Sequence, residues 1–132
     1  MSDTAQQTGK ERPMTRTRAS AKTAGATFER QVADYLAAEV DDRIDRRVKT
    51  GRADKGDIGG IRMRGHRIVA ECKNHARLDL PGWYAEAETE CAHDDALLGV
   101  VVHKRRGTAK PEHQWVTMSL GDLARLLREA NA

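Results

Sequence analysis

Ile68-Val69-Ala70-Glu71-Cys72-Lys73 decides how the rest of the chain is read. The apolar start marks a strand, and along a strand alternate side chains face opposite sides. Glu71 and Lys73 therefore project to one face, Ala70 and Cys72 to the other. Upstream, Asp57-Ile58-Gly59-Gly60 opens a neighbouring strand, and Arg64-Gly65 supplies the turn that folds it back. Asp57 then comes to lie beside the Glu71 carboxylate. Two carboxylates at adjoining strand ends form a hard-oxygen site suited to Mg²⁺, and the Lys73 ammonium can hold a water or a phosphate oxygen. Asp54 is a rival ligand, but Asp57 directly precedes Ile58 and fits the strand start better. Without Asp57, Glu71 and Lys73 would read as a solvent-facing ion pair at a strand end.

Working outward, Phe28, Val32, Tyr35 and Leu36 recur at helical spacing, with Thr27 as the expected N-cap. Glu29 lies at the edge of that stripe, where it is either a helix-dipole partner or a residue close to the metal. Asp41-Asp42 ends the helix. A strand is expected over residues 43–49, with Ile44 and Val48 as its apolar contacts, then a loop over 51–56. Strands over 57–63 and 66–73 form the hairpin. Leu80-Pro81 starts a second helix, proline being tolerated in a first turn, and Trp83, Ala87 and Cys91 give it an apolar edge. Residues 97–103 are almost continuously aliphatic, which suggests a strand buried on both faces. Residues 114–120 read as another strand and 122–130 as a closing helix, with Leu123, Leu126 and Leu127 inward. The order predicts an α/β fold, a mixed β-sheet flanked by helices, with an αβββαβ core plus a C-terminal strand and helix. Residues 1–23 lack apolar periodicity and read as a disordered basic arm, leaving 24–132 as one domain.

The ordered set Glu29, Arg52, Asp57, Glu71, Lys73 resembles the PD-(D/E)xK nuclease superfamily. Gly25-Ala26-Thr27-Phe28-Glu29-Arg30 is similar to the GxxxER start of the archaeal-type Holliday junction resolvases, and the resemblance covers roughly residues 24–105. One departure is Lys55-Gly56, where those resolvases usually have a serine and glycine before the aspartate. The resemblance implies a restriction-endonuclease-like fold and a metal-dependent, structure-selective DNA endonuclease resolving four-way junctions as a homodimer. It further implies Mg²⁺, replaceable by Mn²⁺, and products with a 5′-phosphate and a 3′-hydroxyl. In that reading Asp57, Glu71 and the backbone carbonyl of Cys72 hold the metal, and Lys73 and Glu29 complete the catalytic set. Arg30, Arg52, Lys55, Lys104 and Arg105 contact DNA. Alternatives are another nuclease of the superfamily (nicking, repair or restriction-like) and a non-catalytic DNA-binding module.

Charge and composition set bounds. The net charge is +3 with a sequence pI of about 9.1, a small excess, so distribution matters more than total. Basic residues gather in the arm, in Arg43, Arg46, Arg47, Lys49 and Arg52, and in Lys104, Arg105 and Arg106; beside a carboxylate site such clusters suit a phosphate backbone, a solvated basic surface being the alternative for any one of them. No stretch approaches the roughly 20 apolar residues of a membrane helix, and the polar start has no signal-peptide character, so a cytoplasmic protein of a bacterial, archaeal or phage-infected cell is expected. Zinc is disfavoured: Cys91 and His93 would diverge on a helix, and Cys72 alternates inward. Trp83 and Tyr84 are either base-stacking or core residues. His66, His75, His103 and His113 show no nucleophile or ligand spacing and read as surface residues, and no serine has the context of a triad.

Overall fold

The computed structural model describes residues 17–48 and 55–132. Helix α1 (Arg18–Glu39) starts earlier than its apolar stripe. Thr17 is the N-cap, accepting from the Ser20 N–H at 3.0 Å, in place of Thr27. Residues 18–23, expected to belong to a disordered arm, are therefore helical. Arginine, alanine and lysine favour helix without apolar spacing, and these first turns are exposed. The remainder of the arm lies outside the described residues.

Strand β1 (Asp45–Arg46) is much shorter than expected. Ile44 is buried beside it, but Val48 is 81% exposed, because the chain has passed its last paired residue. The hairpin forms as predicted, with its first arm broken into β2 (Ile58–Gly59) and β3 (Arg62–Met63), followed by β4 (His66–Lys73). Both turn residues have positive φ, Arg64 at 50° and Gly65 at 85°, the geometry that matches strand twist in a two-residue hairpin. Helix α2 (Leu80–His93) carries the chain over to β5 (Leu98–His103), which runs parallel to β4 through six pairs from Ile68↔Leu98 to Lys73↔His103. A single 3₁₀ turn, Pro111–His113, precedes β6 (Trp115–Thr117), antiparallel to β5. Helix α3 (Leu120–Ala130) closes the chain; it starts before Asp122 because Ser119 caps it, accepting from the Asp122 N–H at 3.0 Å.

The described residues thus form an α/β fold, three helices and a mixed open sheet of six strands in the order β1-β2-β4-β5-β6, with β3 paired to β4. The predicted alternation in β4 is realised. Ala70 and Cys72 join Val100 and Val102 under Phe28, Val32 and Ala33 of α1. On the other face Val101 packs under Trp83 and Ala87 of α2. β5 is buried along its whole length, as its aliphatic run requires. In α2 it is Glu90 that turns inward with Trp83 and Ala87, and Cys91 is only half-buried. Leu126 reaches the core, but Leu123 and Leu127, expected inward, are 38% and 52% exposed. The short β6 offers α3 too little sheet to cover its whole apolar face.

Candidate active site

Gly56 prepares the site. Its φ is +98°, and a Cβ there would lie 2.7 Å from Val69 Cγ1, so only glycine lets the chain turn this close to β4. Asp57 follows. Its N–H donates to the Ala70 carbonyl at 3.0 Å, and its Oδ2 accepts from the Cys72 N–H at 2.8 Å. The carboxylate therefore takes the place of a strand partner for the end of β4 and is fixed by the ladder itself. Asp57 is buried, as is Glu71.

Glu71 and Lys73 project towards α2, where sequence reasoning had named no partner. The Lys73 ammonium is 3.3 Å from Glu71 Oε2 and is also bonded to Glu86 of α2. Glu71 contacts Asp57 and Glu90. Burial, then the charge of Asp57, then Glu90 push the Glu71 carboxyl well above the ordinary carboxylate range. These outweigh the Lys73 ammonium, much of whose charge is taken by Glu86. As ionised groups, carboxylates cannot donate to one another, and Glu71 Oε1 is buried without a hydrogen-bond donor. Burial alone would lower the Lys73 pKa. The bond to Glu86 and the charges of Glu71 and Glu86 more than offset it and raise the value, so the ammonium stays charged.

Asp57, Glu71 and Lys73 line a groove of about 740 Å³ between α1 and the end of β4. Glu29 lines the same groove from the middle of α1, too far along the helix to be a first-turn dipole partner. Its carboxylate accepts from Arg46, 3.1 Å away. Arg30 also lines the groove, held by Asp34 and Asp45 at 3.1 and 2.8 Å. Among the described lining residues Lys22, Arg30, Arg46, Arg47 and Lys73 face Glu29, Asp45, Asp57 and Glu71. The groove is near neutral, so a phosphate beside two buried carboxylates calls for further positive charge.

Of the remaining expected residues, Arg52 lies outside the described residues and Lys55 is exposed. Lys104 turns back on its own loop, bonded to the carbonyls of Arg105 and Thr108. Arg105 is exposed, its guanidinium 4.4 Å from the centre of the Trp115 ring. Trp83 is core, against His75 and His103 with ring centroids 5.7 Å away in each case. The Tyr84 hydroxyl ties α2 to α3 through Asp122 and Ser119. Neither aromatic faces the groove. Cys72 is in the core, where burial pushes its thiol up, and the Cys91 thiol donates to the Ala96 carbonyl at 3.3 Å.

Glu86 and Glu90 were missed in sequence, and His103, expected at the surface, is buried because its strand is covered along its whole length. The signal for Glu90 was present, since Trp83, Ala87 and Glu90 share one helical face by their spacing. His103 is paired across the sheet with Lys73 and bonded through Nε2 to Thr117 Oγ1 at 2.8 Å.

Among the described residues no group of three or more His, Cys, Asp or Glu is arranged to hold a metal. A carboxylate pair is nonetheless what Mg²⁺ commonly takes from a protein, with waters and phosphate oxygens completing its shell. Asp57 and the donor-less Glu71 Oε1 offer hard oxygens at adjoining strand ends, so the residues fit such a cation. Among the described residues no helix is long and apolar enough to cross a membrane. No family model matches the chain, and searches of curated proteins and of solved structures returned no match.

Proposed function

We propose that this protein is a metal-dependent, structure-selective DNA endonuclease of the PD-(D/E)xK type, resolving four-way junctions. One observation carries the reading: Asp57 and Glu71 meet at adjoining strand ends, with the Lys73 ammonium 3.3 Å from Glu71, in a groove that Glu29 also lines. The element order, helix first and then a hairpin and a parallel crossover, supports the restriction-endonuclease-like fold inferred from the motif.

Asp57, Glu71 and the backbone carbonyl of Cys72 would hold Mg²⁺, which supplies charge to stabilise the negative phosphate and to acidify water. The chain's own residues do the positioning. Asp57 is locked to the Cys72 N–H and cannot swing away from the strand end. Lys73 exchanges Glu86, which is half-exposed, for a phosphate oxygen or the attacking water. Arg46, released from Glu29, can clamp a neighbouring phosphate with two N–H groups.

Junction resolution needs two incisions related by two-fold symmetry, and hence two copies of the site. Leu120, Leu123 and Leu127 are exposed and fall on one side of α3 by their helical spacing. This is the surface on which a second copy would dock.

The test is cleavage of labelled four-way junction, linear duplex and single strand, with Mg²⁺ and with EDTA. Paired nicks confined to the junction, and only with metal, are expected. Metal-dependent cutting of junction and duplex at equal rates would shift the reading to another nuclease of this type. No cutting of any DNA with Mg²⁺ or Mn²⁺ would refute it.

A further inference from the structure

The strand register carries the site across the sheet. Lys73 is paired with His103, and His103 with Trp115. Paired residues share a face, so these three side chains form a row perpendicular to the strands. At about 4.8 Å between strands, the row places Trp115 about 10 Å from Lys73. That is about three base-pair rises of a DNA strand at 3.4 Å each.

The two ends of the row differ in character. His103 in the middle is buried, packed on Trp83 and bonded to Thr117. Trp115 is 48% exposed. A cation, the Arg105 guanidinium, lies over its ring at 4.4 Å. The loop that presents the pair is braced from within. The Arg105 N–H donates to Gln114 Oε1 at 2.7 Å, and Gln114 Nε2 donates to the carbonyls of Thr108 and Lys110 at 3.2 and 2.8 Å. Lys104 fastens the same loop through the carbonyls of Arg105 and Thr108. An indole held ready in this way loses little freedom on binding a flat ligand.

We propose that Trp115 and Arg105 seat one unpaired nucleobase of the strand whose phosphate lies at Lys73, the indole stacking on the base and the guanidinium meeting its phosphate. The proposal rests on the nuclease reading and gives its structural selectivity a cause. Inside a continuous duplex both faces of each base are already stacked. At a branch, nick or flap a base is free to leave the stack, so the seat favours discontinuous DNA.

The probes are a branched DNA with two unpaired thymines at the branch and a fully paired linear duplex of equal length, titrated in EDTA. Binding is read by anisotropy of a labelled strand and by tryptophan emission. Trp115→Ala should weaken binding of the branched DNA by about 5- to 150-fold, the worth of one base–aromatic stack. It should leave the linear duplex within twofold and the melting temperature unchanged. Trp115→Phe should keep most of the affinity, and emission quenching by the branched DNA should disappear in Trp115→Ala. Equal losses on both DNAs, or no loss on either, would overturn the seat. So would a change in oligomeric state without a change in branched-DNA binding, which would assign the face to a second copy. The two readings fail separately. Metal-dependent cleavage with an indifferent Trp115→Ala removes the seat alone, whereas Trp115-dependent binding without cleavage by any metal removes the nuclease alone.

Discussion

Replacing Glu71 by glutamine should stabilise the metal-free protein while destroying the site. The unfolded chain ionises Glu71 near its ordinary value of 4.5, whereas in the fold burial, Asp57 and Glu90 favour the protonated form. A carboxyl raised in this way contributes stability that is complete below pH 4.5 and is lost as pH rises towards the folded value. Between pH 4.5 and pH 7, at about 1.4 kcal/mol for each pH unit, the ceiling on that loss is about 3.5 kcal/mol. Solvent reaching the groove reduces it, and about 1–3 kcal/mol is expected at pH 7. Glutamine carries no charge at any pH, folded or unfolded, so the variant does not lose this contribution as pH rises. In EDTA, urea unfolding of Glu71→Gln and wild type should give equal stability near pH 4.5 and a growing advantage for the variant up to pH 7. Added Mg²⁺ should close the gap by stabilising wild type alone, by about 2.7 kcal/mol at a hundredfold excess over its dissociation constant. A variant less stable than wild type at pH 7 in EDTA would show that the Lys73 ion pair governs Glu71, and the reasoning would be wrong.

Asp57→Ala, Glu71→Ala and Lys73→Ala should each abolish metal-dependent cleavage while the circular dichroism spectrum persists; wild-type rates in Glu71→Ala would remove the metal site. Gly99→Ala should cost about 1–3 kcal/mol in urea unfolding, because a Cβ there would lie 2.6 Å from the Ala87 carbonyl oxygen and must push α2 off the sheet. Leu127→Lys should leave a folded monomer in sedimentation and reduce junction cleavage to unpaired nicks; an unchanged dimer would place the contact elsewhere.

The hairpin and the central strand were legible because each has a strong local cause. Arg64-Gly65 dictates a tight turn, and the aliphatic run before His103 can only be satisfied between two layers. Boundaries depended on partners and were less visible. The first turns of α1 bury nothing, so no periodicity announced them. Leu123 and Leu127 carry a core-like pattern that the small sheet does not cover. Within the site, Asp57, Glu71 and Lys73 could be brought together from strand alternation alone. Glu86 could not, since its approach depends on how α2 lies across the sheet, and Glu90 was marked only as inward-facing by the helical face it shares with Trp83 and Ala87. Trp115 gained its place only from the register that aligns it with Lys73.

Charge was the least legible property, and it bears on how DNA would be held. Read along the chain, Arg43, Arg46 and Arg47 look like a free basic patch. Folded, Arg43 is bound to Asp41, which it pulls down to a pKa of about 2, Arg46 to Glu29, and Arg47 to Asp94 at 3.1 Å. Each acid holds its arginine in place and also competes with an incoming phosphate. A phosphate that takes Arg46 from Glu29 exchanges one anion for another in the groove that Glu29 and Asp57 both line. That exchange releases no net charge, so the salt dependence of DNA binding should count fewer phosphates than the groove has cations. In the proposed reading, Glu29 would exchange its bond to Arg46 only when DNA is present. In the proposed nuclease reading, arrival of a strand would thereby be coupled to a change of partner at Glu29, which a patch of unopposed arginines could not do.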